Sequence, residues 1–215
     1  MKTLQWSALC AGIIFLTGCR LVEPKARTPY GHYYLESREN FSAVDRVALL
    51  ELENESTRVE LAAQLTQVIA DSFGKKHLFS IRTIDRMDPF WLRLDLDTIA
   101  TAPPEHLQSI AEELNVDAVI FGTIKHYQSY PHLLIALHLK MIDVRRGRLL
   151  WAMEQVWDST DRQVELRMKE YFEKEVHNEY QPLDWRIMVT SPRAFNKFVV
   201  YEIGQTLPHS MPADH

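Results

Sequence analysis

The sequence predicts an α/β (α+β) fold in which helices pack on a mixed sheet of about five strands. Two observations predict it. Apolar runs typical of strands alternate with segments of helical period between residues 45 and 115. Three strand-like runs then follow one another over residues 117–157 and predict a C-terminal three-stranded antiparallel meander. A last helical segment completes the order strand, helix, strand, helix, three strands, helix.

The composition is that of a folded globular protein. Of the 215 residues, 46% are apolar and 25% are charged, with 7 Gly, 10 Pro and 2 Cys. These proportions exclude collagen, long low-complexity disorder and a disulfide-rich miniprotein, and they favour one domain with its own core. The net charge of -5 argues against nucleic acid as a partner and against binding to anionic lipid by charge alone.

Residues 1–18 have the pattern of a bacterial signal peptide. Lys2 supplies a positive charge, an apolar run covers residues 8–16, and the small residues Thr17 and Gly18 follow. The run is too short to span a bilayer as a helix, which needs roughly 20 apolar residues. We therefore predict that this segment directs export and is then removed.

The segment Leu16-Thr17-Gly18-Cys19 resembles the lipobox of bacterial lipoproteins. The resemblance implies cleavage before Cys19, S-diacylglycerol on its thiol and N-acylation of its new amine, with palmitate as a typical acyl chain. Two or three long chains hold a protein on a membrane essentially permanently, at about 0.8 kcal/mol per buried methylene. The alternative is ordinary secretory cleavage nearby, which leaves Cys19 as a free thiol.

Two neighbouring features refine this hypothesis. Residue 20 is Arg rather than Asp, which by resemblance to enterobacterial lipoproteins favours the outer membrane, with the protein facing the periplasm. Cys10 leaves with the signal peptide and Cys19 carries lipid, so the processed chain has no pair of thiols for a disulfide. The domain must therefore fold on packing alone.

Residues 19–44 are predicted to form a lipidated tether between the membrane and the domain. They contain two prolines and several aromatic residues but no apolar period. In the alternative interpretation the tyrosines dock on the domain or on a partner. Tyr30, Tyr33 and Tyr34 are therefore candidates for a partner surface.

A single domain is predicted over residues 45–207. An apolar strand at residues 46–52 opens it. Thr57 and Glu60 form a capping box for a first amphipathic helix, and Gly74 is a natural residue to end that helix.

The next segments alternate between regular and irregular patterns. Residues 77–82 are predicted to form a second short strand. Residues 83–103 are predicted to be a turn of helix or a loop packed on the domain. A second clear helix begins at Pro103-Pro104 and ends at Asn115.

The meander is predicted from residues 117–128, 132–141 and 148–157. In its middle strand, apolar residues alternate strictly with residues such as His138, so one face of the strand is expected to lie on the core. Gly147 is expected to supply the positive φ of the turn that follows.

Residues 158–190 are dense in charge and are predicted to form a charged helical insertion. Apolar residues recur every four positions from Val164 to Val176, which is typical of an amphipathic helix. Ser191-Pro192 predicts the start of the last helix, and residues 208–215 are predicted to be a frayed tail.

Three strings, taken with the lipobox, resemble the periplasmic domain of the curli secretion subunit family and the related lipoprotein activators of penicillin-binding proteins. They are residues 46–50 (RVALL), 116–124 (VDAVIFGTI) and 139–151 (LKMIDVRRGRLLW). The resemblance covers roughly residues 16–157 and the last helix. It implies a non-catalytic docking or accessory protein in cell-envelope assembly or, alternatively, a subunit of a curli-type export channel.

One difference from the curli secretion subunit family argues against the channel alternative. The curli channel subunit builds its pore from extra amphipathic strands inserted into this domain. A membrane strand needs alternating lipid-facing residues over roughly 9 to 11 positions. Residues 158–190 follow a helical period instead, so the sequence favours the accessory protein.

The sequence contains no G-x-S-x-G, H-E-x-x-H, P-loop or G-x-G-x-x-G motif, which argues against an enzyme with one of these common sites. His126, His132 and His138 are the best metal candidates because they fall on adjacent predicted strands. His132 and His138 lie about 20 Å apart at about 3.3 Å per residue, so they do not bind one ion together. The favoured interpretation is that these histidines face solvent.

Three further groups of residues are candidates for functional sites. The acids Asp85, Asp88, Asp95 and Asp97 fit no calcium loop and are predicted to be solvated. The charged face of residues 158–175 is predicted to be solvated, with a partner-binding face as the alternative. Trp157 is predicted to pack in the core, although an exposed Trp157 would be an interface anchor and is kept as a partner-surface candidate.

The sequence thus predicts a lipid-anchored periplasmic protein of the outer membrane that is not an enzyme and uses no cofactor or metal. Its expected partners are the membrane, through Cys19, and an envelope protein whose identity the sequence does not reveal. The sequence leaves open whether the chain forms a homo-oligomer.

Overall fold

The computed structural model describes residues 32–208, which form one mixed sheet with helices on both faces. The strands are β1 (His32–Leu35), β2 (Arg46–Leu50), β3 (Glu53–Asn54), β4 (Ser80–Ile84), β5 (Ala118–Gln128), β6 (Leu134–Asp143) and β7 (Arg148–Asp158). The α-helices are α1 (Arg38–Ser42), α2 (Leu61–Gly74), α3 (Pro89–Arg93), α4 (Pro104–Leu114), α5 (Arg162–Tyr171), α6 (His177–Tyr180), α7 (Ile187–Thr190) and α8 (Pro192–Gln205). A 3₁₀ segment covers Leu96–Thr101, and a π-helical segment, Phe172–Val176, joins α5 to α6.

The sheet has a parallel half and an antiparallel half. Its strand order is β1-β7-β6-β5-β2-β4, and β3 also pairs with β5. β2 runs parallel to its two neighbours, β4 and β5. Each later pair is antiparallel: β5 with β6, β6 with β7, and β7 with β1. The predicted α/β class, mixed sheet and antiparallel meander are confirmed. The sheet has seven strands rather than about five because β1 and β3 join it.

The larger core lies on one side of the sheet, the inner face, which α2 and α8 cover. α2 contributes Leu65, Ile69 and Phe73, and α8 contributes Phe198, all of them buried. Phe73 packs edge-on against Trp151 of β7, with the ring centroids 6.3 Å apart. Each such side chain contributes roughly 1.5–3 kcal/mol when fully buried. This packing is the main stabilisation of a domain that has no disulfide.

The opposite side of the sheet, the outer face, is covered over only half of its width. α3, the 3₁₀ segment and α4 pack on β4, β2 and β5. There Trp91, Ile110 and Leu114 meet Leu50 and Val119 in a second, smaller core. Residues 83–103, predicted to be a helical turn or a loop packed on the domain, supply part of this cover.

Three predicted helix and turn signals are confirmed. Asn115, which ends α4, has a φ of 55°. Gly147 in the turn between β6 and β7 has a φ of 64°, in the left-handed region that glycine adopts readily. The hydroxyl of Ser191 caps α8 by accepting a hydrogen bond from the amide of Ala194 at 3.3 Å, with Pro192 in the first turn.

The start of α2 differs from the predicted capping box of Thr57 and Glu60. Glu60 is the residue before the helix, and its side chain makes no capping hydrogen bond. Asn54 instead organises the preceding turn, since its side-chain oxygen accepts from the amide of Ser56 at 2.9 Å and its side-chain amide donates to the carbonyl of Arg58 at 2.6 Å. Local side-chain turns of this kind compete with a helix for the same backbone groups.

The end of α2 also differs from the prediction. Gly74 is the last helical residue, and the left-handed conformation falls at His77, with a φ of 51°. The next strand is β4, Ser80–Ile84, rather than residues 77–82. Parallel pairing with β2 sets this register, because Ser80 lies opposite Arg46.

Residues 32–44, which were predicted to be part of a tether, belong to the folded domain. β1 pairs antiparallel with β7, and the amide of Glu36 continues this contact by donating to the carbonyl of Leu150 at 2.8 Å. After α1, the side chains of Phe41 and Val44 are buried in the inner core. The apolar period was missed because each of these elements is only four or five residues long.

The charged segment after β7 folds into α5, α6 and α7, where the four-residue apolar spacing predicted a helix. Val164, Met168, Phe172 and Val176 are all buried. The charged side chains between them form exposed ion pairs along the helix, for example Lys174 with Glu170 at 2.6 Å. Among the helices between residues 32 and 208, none combines the length and the apolar character that a bilayer crossing requires.

Candidate functional site

The antiparallel half of the sheet leaves most of its outer face uncovered by the described helices. On the outer side of β6, β7 and β1, every outward side chain is at least partly exposed. Val156 is 57% exposed, Tyr34 46% and Leu149 37%. Apolar side chains gathered on one exposed face are typical of a surface that another molecule covers. We call this surface the open face; it consists of His32, Tyr34, Leu134, Ala136, His138, Lys140, Leu149, Ala152, Glu154 and Val156.

β1 places two of the predicted partner residues at the edge of the sheet. Tyr34 lies on the open face, and its hydroxyl donates a hydrogen bond to the carboxylate of Glu36 at 2.5 Å. This hydrogen bond raises the pKa of Tyr34 and lowers the pKa of Glu36, and it orients the ring of Tyr34. Tyr33 points to the opposite side of the strand and is also exposed. Tyr30 and Cys19 lie outside the described residues.

Trp157, the other predicted partner residue, does not belong to this surface. Its side chain is fully buried on the inner face, and its Nε1–H donates to Oε2 of Glu202 at 2.7 Å. The prediction of Trp157 as part of a partner surface is therefore wrong. Alternation along β7 places this residue on the same side as the buried Met153, which confirms the predicted core packing.

Glu202 belongs to a buried ion pair that the sequence analysis did not predict. Its side chain, on α8, is 3% exposed and accepts hydrogen bonds from Nε of Arg167 at 2.7 Å and from Nη2 at 3.3 Å. Burial raises the pKa of the Glu202 carboxyl, while the bonds from Arg167 and Trp157 act in the opposite direction. The cluster joins α5, α8 and β7 on the side away from the open face. Its only signal in the sequence is an acid among the apolar residues of α8.

A row of polar side chains crosses the open face between its apolar residues. His32, Glu154, His138 and Thr123 are successive cross-strand partners on β1, β7, β6 and β5. The hydroxyl of Thr123 donates to Oε2 of Glu53 at 3.0 Å. Cβ atoms of such partners lie about 4.5–5.5 Å apart. The row can therefore exchange hydrogen bonds with a bound protein.

The structure keeps the three candidate metal ligands apart. His138 lies in the polar row, and His126 lies opposite Ala136 beside an irregularity in the pairing of β5. His132 lies in the turn between β5 and β6, with its Nε2 3.6 Å from Oδ1 of Asp158. Between residues 32 and 208, no three His, Cys, Asp or Glu side chains are grouped in a way that would hold a metal ion.

The four acids considered as a possible calcium site, at positions 85, 88, 95 and 97, have separate local roles. Asp85 and Asp88 each accept a hydrogen bond from a nearby backbone amide, and for Asp88 this bond caps α3. Asp95 accepts from a neighbouring hydroxyl, and Asp97 forms an ion pair with Arg86 at 2.8 Å. These carboxylates satisfy the backbone of the segment and do not converge on one point.

A cavity of about 100 Å³ lies where the open face meets the covered half of the outer face. Its titratable lining residues are Glu51, Glu53, Asp97, His138 and Lys140. The three carboxylates already accept hydrogen bonds or form ion pairs within the chain. The volume equals that of about three water molecules and lies below the roughly 300 Å³ of the smallest usual ligand sites. This arrangement has room for water but not for a substrate of ordinary size.

Comparison with known proteins gives likenesses of structure only. No protein-family model and no curated protein sequence matches the chain. Similar solved structures include the PelC dodecamer from Paraburkholderia phytofirmans, with 15% identity and a TM-score of 0.40 over 57% of this chain and 78% of that one. Lipoprotein GNA1162 from Neisseria meningitidis has 15% identity and a TM-score of 0.40 over 52% and 78%. The LpoB C-terminal domain from Escherichia coli has 12% identity and a TM-score of 0.35 over 53% and 82%.

Proposed function

We propose that this chain is a lipoprotein of the bacterial outer membrane that holds a protein partner of the cell envelope and catalyses no reaction. The observation that carries the proposal is the open face, an uncovered sheet surface with exposed apolar side chains around a polar row. Such a combination of apolar area and hydrogen-bonding groups is typical of protein interfaces. A partner that covers it would bury Tyr34 and Val156, the two most exposed large apolar side chains of this face.

The edge strand adds a second means of contact. Within the described residues, β1 pairs with β7 on one side only. Its other side carries backbone groups that a partner strand can pair with, and Tyr33 and Tyr34 flank this edge. Proteins that bind by strand addition gain affinity from the main chain and specificity from side chains of this kind.

The lipobox supports the proposed attachment. Twelve residues lie between Cys19 and His32, so these two residues are at most about 45 Å apart when the segment is fully extended. A lipid on Cys19 therefore keeps the open face within reach of the membrane surface while leaving the domain in the periplasm. The interaction surface and the membrane attachment would lie on adjoining parts of the chain.

Two observations favour this proposal over its alternatives. The segment in which the curli channel subunit was expected to carry extra strands folds here as α5, α6 and α7. The cavity beside His138 is too small for an ordinary substrate, and its carboxylates are already paired. A docking role needs only the exposed surface that the described residues provide.

We expect Cys19→Ala to release the protein from the outer membrane. Without the thiol, neither the diacylglycerol nor the signal-peptide cleavage that depends on it can occur, so the chain should keep residues 1–18 and carry no lipid. Mass spectrometry of the N-terminal peptide and fractionation of the membranes measure both effects. A wild-type N-terminal peptide with an unmodified thiol would refute lipid attachment.

We expect Val156→Glu to weaken partner binding at least tenfold, because a carboxylate on a surface that the partner covers is left unpaired. A photoreactive residue at position 34 in living cells would identify the partner, and the yield of adduct measures the binding. The matched control is Leu183→Glu, a similarly exposed apolar residue outside the open face. Equal adduct yields for both variants would contradict the assignment of the open face.

A further inference from the structure

A larger groove lies on the inner side of the sheet, between the start of α2, the end of β5 and the start of α8. Its volume is about 670 Å³, within the range of sites that bind small molecules. Nine residues line it, and none of them is acidic. We call it the α2–α8 groove. The residues on which the inference rests are Arg58, Gln64, Tyr127, Ser191, Arg193 and Asn196.

The two arginines of this groove differ from the other arginines in having no carboxylate partner. Every other arginine whose side chain the structure describes forms an ion pair within 4 Å. Arg58 lies over the ring of Tyr127, with its Cζ 5.6 Å from the ring centroid. Neither Arg58 nor Arg193 belongs to any ion pair among residues 32–208. Two guanidinium groups thus face one groove with their charge uncompensated.

The polar groups around the guanidiniums match an anion that carries several oxygen atoms. The hydroxyl of Ser191 accepts a hydrogen bond from the backbone, so its own hydrogen is available to a ligand. Asn196 also lines the groove, and the nitrogen of its side-chain amide is a hydrogen-bond donor that an anion can accept from. Arginine forks bind the oxygens of phosphate with two parallel hydrogen bonds. The groove therefore suits a phosphate ester.

The position of the groove indicates where such a phosphate comes from. α2 follows β3 at the end of the sheet where β5 and β7 finish and β6 begins. β1 starts opposite Glu154 and runs away from this end, so His32, the first described residue, is the residue of β1 nearest to the groove end. Val59 and Tyr130, two of the most exposed apolar residues, also lie at this end. The groove thus lies at the end of the sheet that is nearest to the first described residue, thirteen positions after the proposed anchor at Cys19.

We propose that the α2–α8 groove binds the headgroup phosphate of a membrane phospholipid through Arg58 and Arg193. The inference rests on the proposed lipid anchor for the side that faces the membrane. The chain as a whole carries a net charge of -5, which opposes general attraction to anionic lipid. Binding therefore depends on these two arginines rather than on overall charge. It orients the domain with the groove on the bilayer and leaves the open face to the side.

The test uses the processed chain, residues 19–215, with Cys19→Ser, so that acylation plays no part. Binding to phosphatidylcholine vesicles that contain phosphatidylglycerol is measured by flotation. The double variant with Arg58→Gln and Arg193→Gln should bind at least tenfold more weakly, from the loss of two arginine contacts with anionic headgroups. The matched control, Arg86→Gln with Arg93→Gln, makes the same change in charge on the outer face of the sheet, where the ion pairs that it breaks are exposed, and should bind like the parent.

The remaining variants separate binding from folding. Arg193→Gln alone removes a side chain with no described ion pair, so its loss of binding cannot be attributed to a broken internal contact. Arg58→Lys with Arg193→Lys keeps both charges and should restore part of the affinity. Equal loss in the groove and control double variants would overturn the proposal, since it would indicate general electrostatics.

Two further results would also overturn it. A parent chain that fails to float with the vesicles has no lipid site. A chain that binds inorganic phosphate in calorimetry but not vesicles has an anion site with a different ligand. An unmodified thiol on wild-type Cys19 would refute the anchor without affecting this measurement, because the tested chain carries Ser at that position.

Discussion

Replacing Arg167 with methionine is expected to lower the free energy of unfolding by about 3–5 kcal/mol, the usual cost of removing one partner of a buried ion pair. Glu202 would keep its hydrogen bond from Trp157 but lose both bonds from the guanidinium. Its carboxylate is 3% exposed, so water cannot replace the lost partner. Urea unfolding followed by tryptophan fluorescence measures the change.

The same variant should have a distinctive dependence on pH. Burial already raises the pKa of Glu202 above its ordinary value of 4.5, so the folded protein holds this proton more tightly than the unfolded chain. The stabilisation by the protonated form is therefore present below pH 4.5 and is lost as the pH rises through the raised pKa. Arg167→Met raises that pKa further. We expect the difference in the free energy of unfolding between wild type and this variant to shrink when the pH is lowered from neutral towards 5.

Two controls distinguish this mechanism from general loss of packing. Arg162→Met removes an exposed ion pair with Glu165 on the same helix and should cost less than about 1 kcal/mol. Arg167→Met combined with Glu202→Gln removes both charges and should recover part of the stability, with no remaining pH dependence from this site. If Arg167→Met lowers the free energy of unfolding by the same amount at pH 5 and at pH 7.5, the unpaired carboxylate of Glu202 is not the cause of the loss.

Replacing Gly122 with alanine is expected to lower the free energy of unfolding by about 3 kcal/mol, at the upper end of the costs of overpacking. A Cβ atom at this position would lie 2.2 Å from the carbonyl oxygen of His138 and 2.6 Å from Cδ2 of Leu139. Both atoms belong to β6, which pairs with β5 at this point. The strands would have to separate, and the inner core would open with them. Thermal and urea unfolding measure the effect.

Gly74→Ala is the matched control for this substitution. A Cβ atom there would meet only Cγ2 of Ile81, at 3.9 Å, an ordinary van der Waals contact. Because Gly74 is helical, alanine is expected to stabilise the protein by roughly 0.5–1 kcal/mol. The two glycine variants should therefore shift stability in opposite directions. If both lower it by similar amounts, the close approach of β5 and β6 at Gly122 is not the reason.

Much of the fold could be predicted because its long elements carry clear patterns. The alternation of β6, the stripe of α4 with Asn115 at its end, and the Ser191-Pro192 start of α8 all match the structure. β1 and β3 could not be predicted, since two to four residues are too few to show a period. Their pairing depends on partners far along the chain, at residues 151–154 and 123–124.

The candidate sites were harder to predict from the sequence than the fold. Tyr34 is a candidate from its residue type and does lie on the open face, whereas Trp157, predicted to pack in the core and kept as a surface candidate, is buried. Alternation along β7 predicts that Trp157 lies on the core side, and hydrogen bonding to Glu202 explains why a polar indole is satisfied there. The uncompensated charge of Arg58 and Arg193 has no local signal, because it depends on which acids the fold brings near every other arginine.

The attachment of β1 has a mechanical consequence for an anchored protein. Tension between a lipid at Cys19 and a partner on the domain would act along β1, whose hydrogen bonds to β7 run across the strand. Pulling along the strand loads these bonds together in shear rather than one after another. The four residues of β1 and the buried Phe41 and Val44 behind them would therefore share the force. With such an anchor, the start of the domain would resist being peeled away from the sheet.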